Sequence, residues 1–219
     1  MSKLARYTAM IHVNKHVICA IHVIPSGPYP EWHQPLRIGI LPLDQDFQVS
    51  PELPMFMIDM RPDNVANIDF EGCTLPEKII TQVCNDGYTQ EAGRNLFIKW
   101  YDALNLPFNK YGSGQRQIMP LCYAWPQTYP YLLDWLGRAS YDVFFNPEYR
   151  DPRMTANYLN DQSWFHSTKT PYQKDDLAWL CKNTSNPIQP GCKHDAVYMA
   201  DRVRAIYRTI LLRDYLHIP

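Results

Sequence analysis

Two apolar runs stand near the N-terminus, His16-Val17-Ile18-Cys19-Ala20-Ile21-His22-Val23-Ile24 and Leu36-Arg37-Ile38-Gly39-Ile40-Leu41-Pro42-Leu43-Asp44, separated by a segment that begins Pro25-Ser26-Gly27. Continuous apolar runs of this length, rich in β-branched residues and bounded by turn formers, predict buried strands. A third strand is expected over Met55–Met60, ending at Arg61-Pro62. The period then changes to helical. Ile79, Ile80 and Val83 predict a helix over 75–85, entered at Thr74 with Pro76 in its first turn. Ala92, Leu96, Trp100 and Leu104, four apart, predict a second helix from Thr89 to Leu104 with those residues on one face. Gly112-Ser113-Gly114 marks a loop before a fourth strand over 117–123. Pro147, Pro152 and Pro171 break up the region 138–176, where a helix from about Pro152 to Leu159 is the one element predicted. Ala196, Ala200, Val203, Tyr207 and Ile210 form the stripe of a last helix from Asp195 to Tyr215. This order predicts one α/β domain, a mixed sheet covered by helices on both faces, with no internal repeat. Residues 1–15 form an N-terminal extension and the core runs over about 16–215 of the 219 residues.

Three stretches carry a resemblance to the DEDDh (DnaQ-like or RNase T-like) 3′→5′ exonucleases. His22-Val23-Ile24-Pro25-Ser26-Gly27 stands where the family reads Asp-x-Glu-Thr-Thr-Gly, and the following strand is similar to the family's Ile-x-x-Ile-Gly. Ala124-Trp125-Pro126-Gln127-Thr128, followed by Pro130-Tyr131-Leu132-Leu133-Asp134-Trp135-Leu136-Gly137, resembles Asn-x-x-Phe-Asp and then Pro-Phe-Leu-x-x-Trp-Leu-Gly. His194-Asp195-Ala196-Val197-Tyr198-Met199-Ala200 resembles His-Asp-Ala-Leu-x-Asp-Ala at the head of the last helix. The matches keep their order from about His16 to Arg213, and they imply the RNase H-like fold. They also place the family's four carboxylates on His22, Ile24, Thr128 and Met199, with its histidine kept at His194.

That replacement bears directly on the chemistry. The resemblance implies a reaction in which two Mg²⁺ or Mn²⁺ ions, about 4 Å apart, activate water and stabilise the leaving oxygen. Hard cations take oxygen ligands, and among these four positions only Thr128 offers one, so no cofactor and no metal are expected. His194, the general base that the resemblance implies, then has no activated water to deprotonate. Asp195 lies one residue along the helix from His194, and Asp201 lies ~200° round it from Met199, so neither fills the gap. Asp151 matches a family Asp that opens a helix, and with Pro152 behind it reads as an N-cap. Four acids crowded round a cleft repel one another, so their loss is expected to stabilise the domain without metal.

Composition narrows the classes further. At 46% hydrophobic and 20% charged residues the chain can bury a substantial core. A net charge of −1 excludes a strong global pull on nucleic acid. No apolar run reaches the ~20 residues of a membrane helix and the N-terminus does not read as a signal peptide, which points to the cytoplasm. The six cysteines (Cys19, Cys73, Cys84, Cys122, Cys181, Cys192) include no Cys-x-x-Cys pair, so reduced thiols are expected. Cys192 and His194, with Cys181 and His22, form a weak alternative set for a soft metal.

Three functions remain open. The first is a pseudo-nuclease repurposed to bind a protein, inhibiting or scaffolding a nucleic-acid-processing or defence complex, as would suit a phage or mobile element in its host's cytoplasm. The 15 Tyr, 6 Trp and 8 Phe motivate it, with Tyr29, Trp32, Tyr129, Tyr131 and Trp164 as interaction-surface candidates. The second is non-cleaving binding of single-stranded DNA or RNA through Lys193, His194, Arg202, Arg204, Arg208 and Trp125. A solvated helix face and a packed Trp125 and Trp135 are the plainer readings of those residues. The third is an exonuclease in which His22, Thr128 and His194 gather one transition metal, assisted by Asp195 or Asp151. A homodimer is compatible with any of the three.

Overall fold

The computed structural model describes residues 17–106 and 117–215, with side chains of the last helix described as far as Leu212. The N-terminal extension and the Gly112-Ser113-Gly114 loop lie outside the described residues. Four strands, β1 (Val17–Pro25), β2 (Pro35–Pro42), β3 (Phe56–Asp59) and β4 (Ile118–Leu121), form one sheet in the order β3-β2-β1-β4. β1 runs antiparallel to β2 and parallel to β4, and β3 is antiparallel to β2, which makes the sheet mixed as the sequence predicts. Beyond β4 the segment 145–150 adds a fragmentary parallel partner. The amides of Asn146 and Arg150 donate to Ile118 and Pro120 at 2.8 and 2.7 Å, and that of Cys122 donates to Arg150 at 2.9 Å. Pro120 and Pro147 have no amide to donate, so this edge does not complete a ladder.

Among the described residues seven α-helices follow the pattern with additions. They are α1 (Glu77–Asp86), α2 (Gln90–Ala103), α3 (Trp125–Leu136), α4 (Arg138–Phe144), α5 (Pro152–Phe165), α6 (Leu177–Asn183) and α7 (Ala196–Tyr215). The caps are local. Thr89 Oγ1 accepts from the Ala92 amide at 3.1 Å and Asp176 Oδ1 from that of Trp179 at 2.8 Å. Gly137, at φ 75°, separates α3 from α4 in the left-handed region where other residues are strained.

β1 divides the core in two. Cys19, Ile21 and Val23, with Ile38, Ile40 and Ile58, pack under α2, α3 and α4. Phe97 sits at the centre of that layer, its ring 5.3–5.9 Å from those of Phe56, Trp100, Trp135, Phe144 and Phe145. Each such ring fully buried stabilises the fold by roughly 1.5–3 kcal/mol. Ile18 and Ala20, with Leu41, Met119 and Leu121, meet Ala200, Val203 and Tyr207 of α7 on the opposite face. Ile24 and Leu36 are covered by Ile68, Cys73, Leu75, Ile80 and Val83.

Two expectations are corrected. The buried stripe of α2 is Gly93, Phe97, Trp100, Tyr101 and Leu104, whereas Ala92 and Leu96 are only partly covered. The helix turns Gly93 to the sheet because a Cβ there would come within 2.3 Å of Met60 Sδ, an approach the four-residue spacing does not reveal. The helix predicted to end near Leu159 continues to Phe165, and α4 and α6 were not foreseen. Among the described residues no helix is long and apolar enough to cross a membrane.

Candidate functional site

The C-terminal half of β1, the head of α3 and the head of α7 contribute the positions singled out by sequence. α7 reaches the sheet through Gly39, opposite His22 in the β1–β2 ladder, where a Cβ would lie 2.5 Å from the Ala196 carbonyl carbon. α3 begins at Ala124, an alanine in the left-handed conformation (φ 55°, ψ 50°). Asp151 ties two helix starts together, accepting from the Trp125 amide at 3.2 Å and the Arg153 amide at 2.9 Å. Burial pushes the Asp151 carboxyl up, and those amides oppose the shift. It is the N-cap that its sequence suggests.

The five positions that the sequence resemblance singles out differ sharply in surroundings. Burial lowers His22 to a pKa of about 4, so its imidazole is neutral at physiological pH. Ile24 is 1% exposed, sealed under the segment that carries Ile68, Cys73 and Leu75. Met199 is 4% exposed in the first turns of α7. Thr128 is partly exposed, and its hydroxyl bonds the Cys122 thiol, which burial pushes up to about 12. His194 occupies a 3₁₀ turn, Cys192–His194, with a ring hydrogen bond to the Thr74 backbone and a buried Nδ1 that has no hydrogen-bond partner among the described residues. Burial, then Lys193, lowers its pKa, and Arg37 adds to the shift while Thr74 opposes it.

This set does not fit a pair of hard cations. Its donors are two imidazoles and one hydroxyl, and its other two members, Ile24 and Met199, are buried apolar side chains. Nearby acids are committed elsewhere. Asp195 Oδ1 accepts from the amides of Val197 and Tyr198 at 2.9 and 3.0 Å, capping α7. Asp201 pairs with Arg202 and Arg204, and Asp59 with Arg37. No three His, Cys, Asp or Glu side chains among the described residues are gathered where they could hold a metal ion, so the set of Cys181, Cys192, His194 and His22 is not brought together.

The residues considered for nucleic acid are also placed. Lys193 is exposed, whereas Arg204 Nη1 donates to the Phe47 carbonyl at 3.1 Å and to Gln48 Oε1 at 2.8 Å. Arg208 Nε donates to the Asp46 carbonyl at 2.9 Å, and Arg202 lies 5.0 Å over the Tyr198 ring. These arginines thus pin α7 to the β2–β3 turn and to its own first turns. Trp125 is buried among Tyr129, Phe145 and Tyr149 and has no face free for a base.

Among the interaction candidates, Tyr29, Trp32 and Trp164 are 60%, 70% and 82% exposed, and Tyr129 is marginally so. Tyr131 is corrected to a core position, because its hydroxyl donates to the Gly27 carbonyl at 2.7 Å and draws the ring inside. Two hollows flank the β1–β2 connection. One, of about 460 Å³, is lined by Val23, Pro25, Pro28, Gln127, Thr128 and Tyr131 and contains no charged group. The other, of about 400 Å³, is lined by Tyr29, Trp32, His33, Ala66, Asn67, Ile68 and Asp69. Sequence reasoning missed His33, Asp69 and the Arg37–Asp59 pair, although a lone arginine within an apolar strand was a legible sign of a part-buried ionic contact.

No family model matches the chain, and no curated protein matches it in sequence. Solved structures do match. The nuclease domain of 3′hExo, a DEDDh family member bound to rAMP, aligns with a TM-score of 0.57 and 14% identity over 92% of this chain and 94% of that one. E. coli exonuclease I in complex with a dT13 oligonucleotide aligns at 0.58 and 16% identity over 92% of this chain, which spans 43% of that longer one. A chain from the yeast NOT1 MIF4G domain co-crystallised with CAF1 aligns at 0.57 and 9% identity, covering 97% of this chain and 82% of that one. The sheet order, the helices on both faces and these matches agree: the chain has the RNase H-like fold of the DEDDh 3′-exonucleases.

Proposed function

We propose that this chain is a non-catalytic, exonuclease-like protein that acts by binding another protein, inhibiting or scaffolding a complex that processes nucleic acid. The observation that carries the reading is the burial of Ile24 and Met199, the apolar residues that stand where the sequence resemblance puts two of the family's carboxylates. An acid inserted there would have to be desolvated, a cost of several kcal/mol unless metal compensated it. With no charge lining the cleft beside Thr128, neither metal nor an attacking hydroxide is held. Exposed Tyr29, Trp32 and Trp164 supply the kind of aromatic anchor that protein interfaces use. The similar fold from the NOT1–CAF1 co-crystal supports a protein partner as an occupant of such a scaffold.

The test is calorimetry with Mg²⁺ and Mn²⁺ together with degradation of a labelled single-stranded oligonucleotide. Heat of binding with cleavage would overturn the reading; silence in both is the expected result.

A second reading, a cleft that holds a single-stranded end without cutting it, is favoured by the uncharged hollow at Thr128 and by the dT13 oligonucleotide bound in the structure of similar fold. Fluorescence anisotropy with short single strands at low salt decides it, since phosphate contacts strengthen as salt is removed. Absence of binding at low salt eliminates this reading.

A further inference from the structure

The hollow walled by Tyr29 and Trp32 is distinct from the degenerate site and is built from two segments, 26–36 and 63–76. They are laced together. The Asp69 amide donates to the Ser26 carbonyl at 2.9 Å, Gln34 Nε2 donates to Asp63 Oδ2 at 2.7 Å, and the Asp63 amide donates to Gln34 Oε1 at 2.7 Å. His33 is held against Gly27, where a Cβ would lie 2.5 Å from its Nε2, and its ring stacks with that of Tyr29 at 6.0 Å. The amides of Trp32 and His33 both donate to the Tyr29 carbonyl, at 3.0 and 2.9 Å, so the loop is closed on itself. Two large aromatic rings are thereby kept in water on an ordered turn, which is costly unless they serve a contact.

Charge decides what that contact is. The two segments carry Glu31, Asp63, Asp69 and Glu71 and no lysine or arginine. Asp69 Oδ1 accepts from the amides of Glu71 and Gly72 at 3.1 and 2.9 Å, while Oδ2 has no hydrogen-bond partner among the described residues. A phosphodiester chain would meet repulsion from these acids, whereas a cation gains from the aromatic faces and the carboxylate together. The guanidinium group combines planarity for stacking on an aromatic ring with N–H donors for a carboxylate oxygen. The hollow, about 400 Å³ and open to solvent, has room to admit an arginine side chain.

We propose that the Tyr29–Trp32–Asp69 hollow is a receptor for an arginine side chain presented by the protein partner. This rests on the reading of the chain as a binding protein and names the chemistry of what it binds.

The experiment titrates full-length protein, with ¹⁵N-labelled tryptophan, against a short Gly/Ser peptide carrying one arginine, and against the same peptide with citrulline. Citrulline keeps the shape and removes the charge. Expected is a saturable shift of the Trp32 indole N–H with the arginine peptide and an affinity about tenfold lower for citrulline, in the range of a desolvated cation–π contact. Trp32→Ala removes the reporter indole, so its binding is read by calorimetry with the arginine peptide; binding is lost, and the high exposure of Trp32 leaves the fold intact. Asp69→Asn, which retains an oxygen to cap the Glu71 and Gly72 amides, weakens binding about fivefold through the lost charge. No Trp32 shift at millimolar peptide, equal affinity for citrulline, or tighter binding of an oligothymidylate at the same indole would each overturn the assignment. Cleavage of an oligonucleotide by wild type and Trp32→Ala alike would sink the non-catalytic reading while leaving the peptide result untouched, so the two failures are distinguishable.

Discussion

Arg37 Nη1 donates to the backbone carbonyl of His194 at 2.8 Å while Nε and Nη2 of the same guanidinium hold the Asp59 carboxylate at 2.7 and 2.6 Å. One side chain of β2 therefore links the edge strand β3 to the turn that starts α7. The His194 backbone is tied to the sheet and its ring to Thr74, so the histidine that the family resemblance would make a base is used as a structural pin.

Replacing Arg37 should reveal that role. Arg37→Met leaves Asp59 without its cation and the His194 carbonyl without its donor. We expect a loss of about 2–3 kcal/mol in urea unfolding. Asp59→Asn, which leaves the contact to His194 in place, should cost less.

Restoring the family acids should harm the fold. Ile24→Glu places a carboxylate among Ile68, Cys73 and Leu75, at an expected cost of about 3 kcal/mol. The measurement is thermal unfolding with and without Mn²⁺. The single variant is expected to gain no stability from the ion, because His22, Thr128 and Met199 supply no second oxyanion. Recovery of wild-type stability in Mn²⁺ would show a metal site within reach.

Acid should weaken the protein before its carboxylates titrate. The folded state lowers His22 from the ordinary 6.5 to about 4, so the unfolded chain binds the extra proton. Stability is full above pH 6.5 and is lost as pH falls towards 4, by at most ~3 kcal/mol from this group. The depressed pKa of His194 acts in the same direction. His22→Asn should flatten part of the fall in melting temperature across that window, and an unchanged slope would contradict the assignment.

Ala124 marks a place where the backbone is dearer than the side chain. An L-residue in the left-handed region costs about 1 kcal/mol relative to glycine, and Ala124 lies there at φ 55°. Ala124→Gly should therefore raise stability by roughly 0.5–1 kcal/mol, less the small loss of a buried methyl. Calorimetric melting tests this, and destabilisation would mean that the methyl contacts outweigh the strain.

Asp151 should separate geometry from charge. Asp151→Ala removes the acceptor for the Trp125 and Arg153 amides and should cost about 2 kcal/mol. Asp151→Asn keeps one oxygen and should cost distinctly less, as read by denaturant midpoints.

Much of the fold was legible because its signals are local. β1 and β2 read as buried strands from apolar runs interrupted only by His22 and Arg37, and α7 from a stripe whose five residues are all buried. Asp151 was readable as a cap from its neighbour Pro152 alone. The region 138–176 was not legible beyond α5, since its parallel edge is held by hydrogen bonds to β4, some thirty residues away in sequence. The α2 face was misplaced for the same reason: the choice of Gly93 over Ala92 depends on Met60, a contact no period encodes.

The sequence by itself determined the order of the four strands and of α1, α2, α3, α5 and α7, the RNase H-like resemblance and the absence of carboxylates at His22, Ile24, Thr128 and Met199. Those follow from residue type and spacing along the chain. Only the tertiary structure decided that Ile24 and Met199 are buried, that Tyr131 turns inward while Tyr29 and Trp32 stay in water, and that Arg204 and Arg208 of α7 are bound to the β2–β3 turn. Exposure and pairing depend on which distant segments pack together, and that is set by the whole chain at once.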